Sequence, residues 1–152
     1  MQQEYTNDFG SLLEGKVVVA DTSSLLMSGT KLLAHIYNCE LILPAIVVQE
    51  LEAKRSHPTL GVLARQWINL LESLRVRHET GLSKGVPYEE GASVILRVEP
   101  NHSKQASLPL HLQNGSADST VLAVAYNLQQ DADVVKQVVL LSNDTPMRLY
   151  AT

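Results

Sequence analysis

The sequence predicts an α/β fold built on a mostly parallel sheet, and three observations carry that expectation. Short apolar runs at 16–20, 40–43 and 137–141 are rich in Val, Ile and Leu and do not alternate with polar residues. Strands buried on both faces read this way. Between them lie longer stretches whose apolar residues recur every three or four positions, and strands alternating with helices favour a parallel sheet. The first run also leads straight into an acid and two hydroxyls, Val18-Val19-Ala20-Asp21-Thr22-Ser23. That puts a carboxylate at a strand's C-terminal end, where open α/β sheets bind their ligands.

The elements follow in order. Residues 1–15 are polar and mixed, a frayed lead-in. After the first strand, apolar residues from Leu25 to Ile36 mark a helix starting at Ser23 or Ser24 and loosened at Gly29. The second strand covers 40–43. Pro44 suits a first helical turn, and a helix continues over 45–55. Beyond the turn Ser56-His57-Pro58, the clearest helix spans 59–74, with Leu60, Leu63, Trp67, Leu70, Leu71 and Leu74 on one face. Residues 75–79 are expected as a third strand. From about 80 to 112, Gly81, Gly85, Pro87, Gly91, Pro100 and Pro109 punctuate the chain, and 92–98 alternates weakly. This reads as a β-hairpin insertion projecting from the body and too short for a core of its own. A helix over 116–129, the strand at 137–141 and a turn at Asn143-Asp144-Thr145-Pro146 into a last helical piece complete the chain.

Composition narrows the function. The 152 residues suit one domain, with 45% hydrophobic and 18% charged residues. A lone cysteine, Cys39, rules out a disulfide within the chain. No stretch approaches the roughly 20 apolar residues of a membrane span, so a cytoplasmic protein with no membrane partner is expected. Acids outnumber Lys plus Arg by 16 to 12, which argues against nucleic-acid binding by bulk charge. A local acidic site that holds cations remains open.

Four carboxylates stand out by position: Asp21 after the first strand, Glu50 within the second helix, Asp118 in the first turn of the helix over 116–129, and Asp144 after the last strand. Strand C-termini and the helix N-termini that follow share one edge of such a sheet. Converging carboxylates repel unless a cation sits among them, and Mg²⁺ or Mn²⁺ prefers oxygen ligands. Each acid also has a structural alternative. Asp21 could cap a helix, Glu50 could pair with Lys54, Asp118 could complement a helix dipole behind Ser116, and Asp144 could shape a turn. The five histidines, His35, His57, His78, His102 and His111, show no ligand spacing and read as surface or structural.

The blocks Val18 to Ser23, Leu43-Pro44 to Val48-Gln49-Glu50-Leu51, Asp118 to Leu122-Ala123-Val124-Ala125, and Leu141-Ser142-Asn143-Asp144 resemble, in order, the signature blocks of PIN-domain nucleases. Asp144-Thr145-Pro146-Met147-Arg148 and the punctuated hairpin at 86–98 are similar to the PIN module that precedes a PhoH-type ATPase domain. The resemblance implies a Rossmann-like, three-layer PIN fold with strand order 3-2-1-4-5, spanning 1–152 with the insertion at about 80–112. It implies an Mg²⁺- or Mn²⁺-dependent endoribonuclease in which Asp21, Glu50, Asp118 and Asp144 are the catalytic and metal-binding acids. Thr22, Ser23 and Ser142 would brace them. Lys54, Arg55 and Arg148 are candidate contacts for RNA phosphates. Implied partners are RNA, a small antitoxin protein and further copies of the chain. Family members usually add a last edge strand, and the chain stops at Thr152 before one, so a fragment of a longer protein with a C-terminal PhoH-type ATPase domain is expected.

Other classes fit less well. A phosphatase of the haloacid dehalogenase type needs a second Asp where Ser23 stands, and a receiver domain needs its accepting Asp after the third strand, near His78-Glu79. No Gly-rich Walker segment occurs. The alternative that remains is a non-catalytic PIN module for RNA binding or assembly within a larger ATPase or helicase protein.

Overall fold

The structure, a computed structural model, describes residues 7–105, 108–113, 115–131 and 133–143. Its elements are α1 (Asn7–Leu13), β1 (Val17–Ala20), α2 (Thr22–Ser28), β2 (Glu40–Pro44), α3 (Ala45–Ala53), α4 (Gly61–Arg77), β3 (Val86–Pro87), β4 (Ile95–Glu99), α5 (Ala117–Gln130) and β5 (Val138–Leu141). Short 3-10 turns lie at Gly29–Ala34, Leu82–Lys84 and Leu110–Leu112.

Two of the non-alternating runs, β1 and β2, become the middle of the sheet, while the third, β5, stands at its end and is partly exposed. Every residue of β1 is buried, and since successive side chains point to opposite faces, both faces of β1 are covered. β1 pairs in parallel with β2 on one side and with β5 on the other, with Val17 opposite both Glu40 and Val138. β2 pairs in parallel with β4, and β4 carries the antiparallel β3. The sheet order is β3-β4-β2-β1-β5. Counted in chain order, its parallel strands read 3-2-1-4, as expected, and order reverses between β1 and β5. A fifth parallel strand is absent among the described residues.

Three expectations need correction. Residues 75–79 are not a strand: α4 runs on to Arg77, where Val76 is 70% exposed and Arg75 pairs with Glu72. The third parallel strand is β4, inside the region read as a projecting insertion. The hairpin is real, with Val86 opposite Leu96, but β4 lies against β2 over its whole length, and Val94 and Leu96 are buried in the core. The weak alternation over 92–98 made β4 look solvent-facing, and its one charged side chain before Glu99 is Arg97. Glu40 and Glu99 neutralise it instead, at 3.4 and 3.5 Å, which lets a charged side chain sit mostly buried. Finally, the lead-in contains α1, whose Leu13 joins the core.

Elsewhere the local signals hold with shifted ends. Gly29 takes φ +64 and turns α2 into a 3-10 segment, a backbone state that L side chains resist. His57 Nδ1 accepts from the backbone N–H groups of Thr59 and Leu60, at 3.2 and 3.0 Å, and so serves the start of α4. Trp67 is fully buried on α4, and its indole N–H donates to the Leu25 carbonyl at 2.8 Å, tying α4 to α2. No helix among the described residues is long and apolar enough to cross a membrane.

Candidate active-site cleft

Asp21 follows the last residue of β1, at the point where the sheet order reverses. Its extended backbone (φ −90, ψ 172) breaks the strand into α2, and its Oδ1 accepts from Ser24 N at 2.9 Å as an N-cap. The same Oδ1 accepts from Ser23 Oγ at 2.9 Å, and Oδ2 accepts from Ser142 Oγ just past β5. The carboxylate is 4% exposed. Capping and a role in the cleft are therefore not rivals here: the hydrogen bonds that start α2 also fix the carboxylate at the sheet edge.

Glu50 reaches this edge from α3, which starts where β2 ends. It is half-buried and accepts from Thr22 Oγ1, the residue next to Asp21. Asp118 lies in the first turn of α5, behind the N-cap Ser116, whose Oγ accepts from Ser119 N at 3.1 Å. Its position also complements the positive end of that helix. Asp21, Glu50 and Asp118 line one cleft of about 520 Å³, a volume typical of ligand sites.

Thr22, Ser23 and Lys54 line the same cleft. Arg55 does not: it is exposed and paired with Glu52 at 3.2 Å. Asp144 and Arg148 lie outside the described residues. Sequence reasoning passed over Asn143, which lines the cleft and whose backbone N–H donates to Ser23 Oγ at 3.1 Å. It also missed the apolar lining from Leu26, Met27 and Leu60. The signal for Asn143 was its place beside Ser142 at the end of β5. Nothing in the linear pattern marked Met27 or Leu60 as anything but core.

The described lining contains no histidine or cysteine. His57 and His102 are engaged elsewhere, and burial pushes the Cys39 thiol up to about 11, which removes a thiolate nucleophile at neutral pH. An all-oxygen carboxylate set suits a hard divalent cation. Among the described residues, however, no three His, Cys, Asp or Glu side chains gather closely enough to hold an ion.

The family model described as the PIN domain matches residues 18–152. The chain belongs to the PIN-domain family. The matched span of this PIN domain begins inside β1 and includes every cleft residue named above. Protein PhoH2 of Thermobispora bispora is 44% identical to it over 136 residues, covering 90% of the chain and 29% of that protein. Protein PhoH2 of Mycolicibacterium smegmatis is 37% identical over 139 residues, and that of Bacillus subtilis 30% identical over 140 residues, each covering 90% of the chain and 30% of the relative. The PIN domain thus spans less than a third of the length of these relatives and is related to part of each. PIN domains are typically ribonucleases that bind a divalent metal.

Proposed function

We propose that this PIN domain is an Mg²⁺- or Mn²⁺-dependent endoribonuclease that hydrolyses RNA phosphodiester bonds. The observation that carries the reading is the lining of one cleft, at the reversal of the sheet order, by Asp21, Glu50 and Asp118. These three, with Asp144, would hold the ion. When bound, it supplies an acidified water and charge neutralisation on the phosphoryl oxygens. The chain's own groups do the rest. Ser23, Ser24 and Ser142 hold the Asp21 carboxylate at a fixed angle, and Thr22 holds Glu50. The Lys54 ammonium, in the same cleft, receives a substrate phosphate.

The likeness to part of PhoH2 supports a place for this domain in a longer protein with a PhoH-type ATPase part. A small antitoxin protein and self-association belong to the same proposal, as does a cytoplasmic setting. Cleavage of a labelled RNA by the wild type in Mg²⁺ or Mn²⁺, its loss in EDTA, and its loss in Glu50→Gln and Asp118→Asn would bear the reading out. Cleavage that persists in both variants would overturn it. A second reading, a non-catalytic RNA-binding module, rests on Lys54, Thr22 and Ser23 lining the same cleft, groups that can bind a phosphate without cutting it. RNA retained without cleavage in either metal would favour that reading.

A further inference from the structure

Asp21 and Asp118 reach the cleft by different means. Asp21 is buried and accepts from Ser23, Ser24 and Ser142, whereas none of the residues 115–118 is buried and Asp118 itself is exposed. Burial does little to fix that stretch, and an exposed helix end frays unless polar contacts hold it. One side chain bridges it. Gln105, on the connection from β4, accepts at Oε1 from Gly115 N at 3.1 Å and donates from Nε2 to Thr120 Oγ1 at 3.2 Å. These two partners flank the N-cap Ser116 and Asp118. Thr120 Oγ1 gives its own proton to the Ser116 carbonyl at 3.0 Å, so towards Gln105 it can only accept. The turn therefore needs an acceptor on one side and a donor on the other, and a primary amide supplies both. We propose that Gln105 is a positioning residue for Asp118: its amide clamps the first turn of α5 and so sets where that carboxylate stands in the cleft.

This rests on the nuclease reading and adds to it a residue that acts from outside the cleft lining. Gln105 is itself anchored. His102 joins Glu99 at the end of β4 (3.2 Å) to Asp131, the C-cap of α5 (3.0 Å). Asn127 Nδ2 donates to the carbonyls of His102 and Lys104, at 2.8 and 2.9 Å. Thr120 and Asn127 stand about two helical turns apart and share one face of α5. Residues 102–105 thus run along that face from its C-terminal end to its first turn, and Gln105 arrives there in fixed register. Removing a group that orients a metal's ligand typically weakens metal binding by roughly tenfold or more.

The test measures Mn²⁺ affinity by titration calorimetry and kcat/KM on a labelled RNA, with thermal melts in EDTA as the check on folding. The proteins are the wild type, Gln105→Met, Thr120→Val, Thr120→Ser, Asp118→Asn, and Gln105→Met combined with Asp118→Asn. Gln105→Met and Thr120→Val should bind Mn²⁺ about tenfold more weakly and cut more slowly. Thr120→Ser keeps the acceptor and should behave as the wild type. In the Asp118→Asn background, Gln105→Met should change Mn²⁺ affinity no further, because its effect passes through that carboxylate. Wild-type Mn²⁺ affinity in Gln105→Met and Thr120→Val, or an equal loss with and without the Asp118 carboxylate, overturns the clamp. If the wild type cuts no RNA in Mg²⁺ or Mn²⁺, the nuclease reading fails, and Mn²⁺ affinity still decides the clamp. If Mn²⁺ does not bind, the carbon-13 titration of the Asp118 carboxyl decides it: a midpoint moved in Gln105→Met but not in Thr120→Ser supports the clamp, and equal midpoints overturn it.

Discussion

Ser142, one residue past β5, donates a hydrogen bond to the Oδ2 of Asp21, a carboxylate 121 residues earlier in the chain, and both side chains are buried. The contact links the two strands between which the sheet order reverses. Asn143 repeats the link through its backbone N–H to Ser23 Oγ. The end of β5 is thus pinned to the start of α2 at the floor of the cleft.

Ser142→Ala should therefore cost about 1–3 kcal/mol, because a buried carboxylate oxygen loses a donor. Asp21→Asn should keep the start of α2, since Asn caps a helix as well as Asp does, yet bring RNA cleavage down to background. Urea unfolding and a cleavage assay on both variants check this. An Asp21→Asn protein that folds and still cuts would mean that Asp21 serves only as a cap.

Gly29 offers a test of the α2 end. A Cβ there would lie 2.1 Å from Gln66 Oε1 and 2.9 Å from Leu63 Cδ2, on a residue with φ +64. Gln66 Oε1 also accepts from Thr30 N at 3.1 Å, so moving it breaks a bond. Gly29→Ala should destabilise by about 2 kcal/mol or more, from the left-handed backbone and the displaced side chain. A thermal melt within error of the wild type would show that the segment relaxes freely.

His102 predicts a pH dependence away from the cleft. Burial works against its charged form, but hydrogen bonds to Asp131 (3.0 Å) and Glu99 (3.2 Å) outweigh that and hold its pKa above the usual 6.5. A base raised on folding stabilises the fold fully below its unfolded value and loses that contribution as pH rises through the folded value. Asp131 is held below its usual 3.8, first by the Asp133 backbone N–H and then by His102, so its contribution is present above 3.8 and fades in more acid solution. Stability should be greatest between these limits and decline above pH 6.5. His102→Asn tolerates the φ of +66 at this position and should flatten the decline. Urea midpoints against pH check it; parallel curves for the two proteins would count against the network.

The sequence by itself determined the features that depend on local period and on chain ends. Non-alternating apolar runs marked β1 and β2, and the three-and-four spacing around Trp67 marked α4, because burial on two faces or on one helical stripe leaves that imprint residue by residue; the same kind of run marked β5, although that strand is only partly buried. The placing of Asp21 at the end of β1, Glu50 on the helix after β2 and Asp118 in a first helical turn was legible for the same reason. Only the tertiary structure decided matters that turn on distant neighbours. β4 could not be read as a central strand, because Arg97 is acceptable there only with Glu40 and Glu99 packed beside it. Lys54 and Arg55 are adjacent in the chain, yet Lys54 lines the cleft and Arg55 pairs with Glu52 outside it. Lys54 is the C-cap of α3 and Arg55 lies in the turn beyond it, and the way the chain leaves α3 decides which of them faces the acids. Met27 and Leu60 carried a core-like pattern, and only the packing of distant elements placed them in the lining of the cleft.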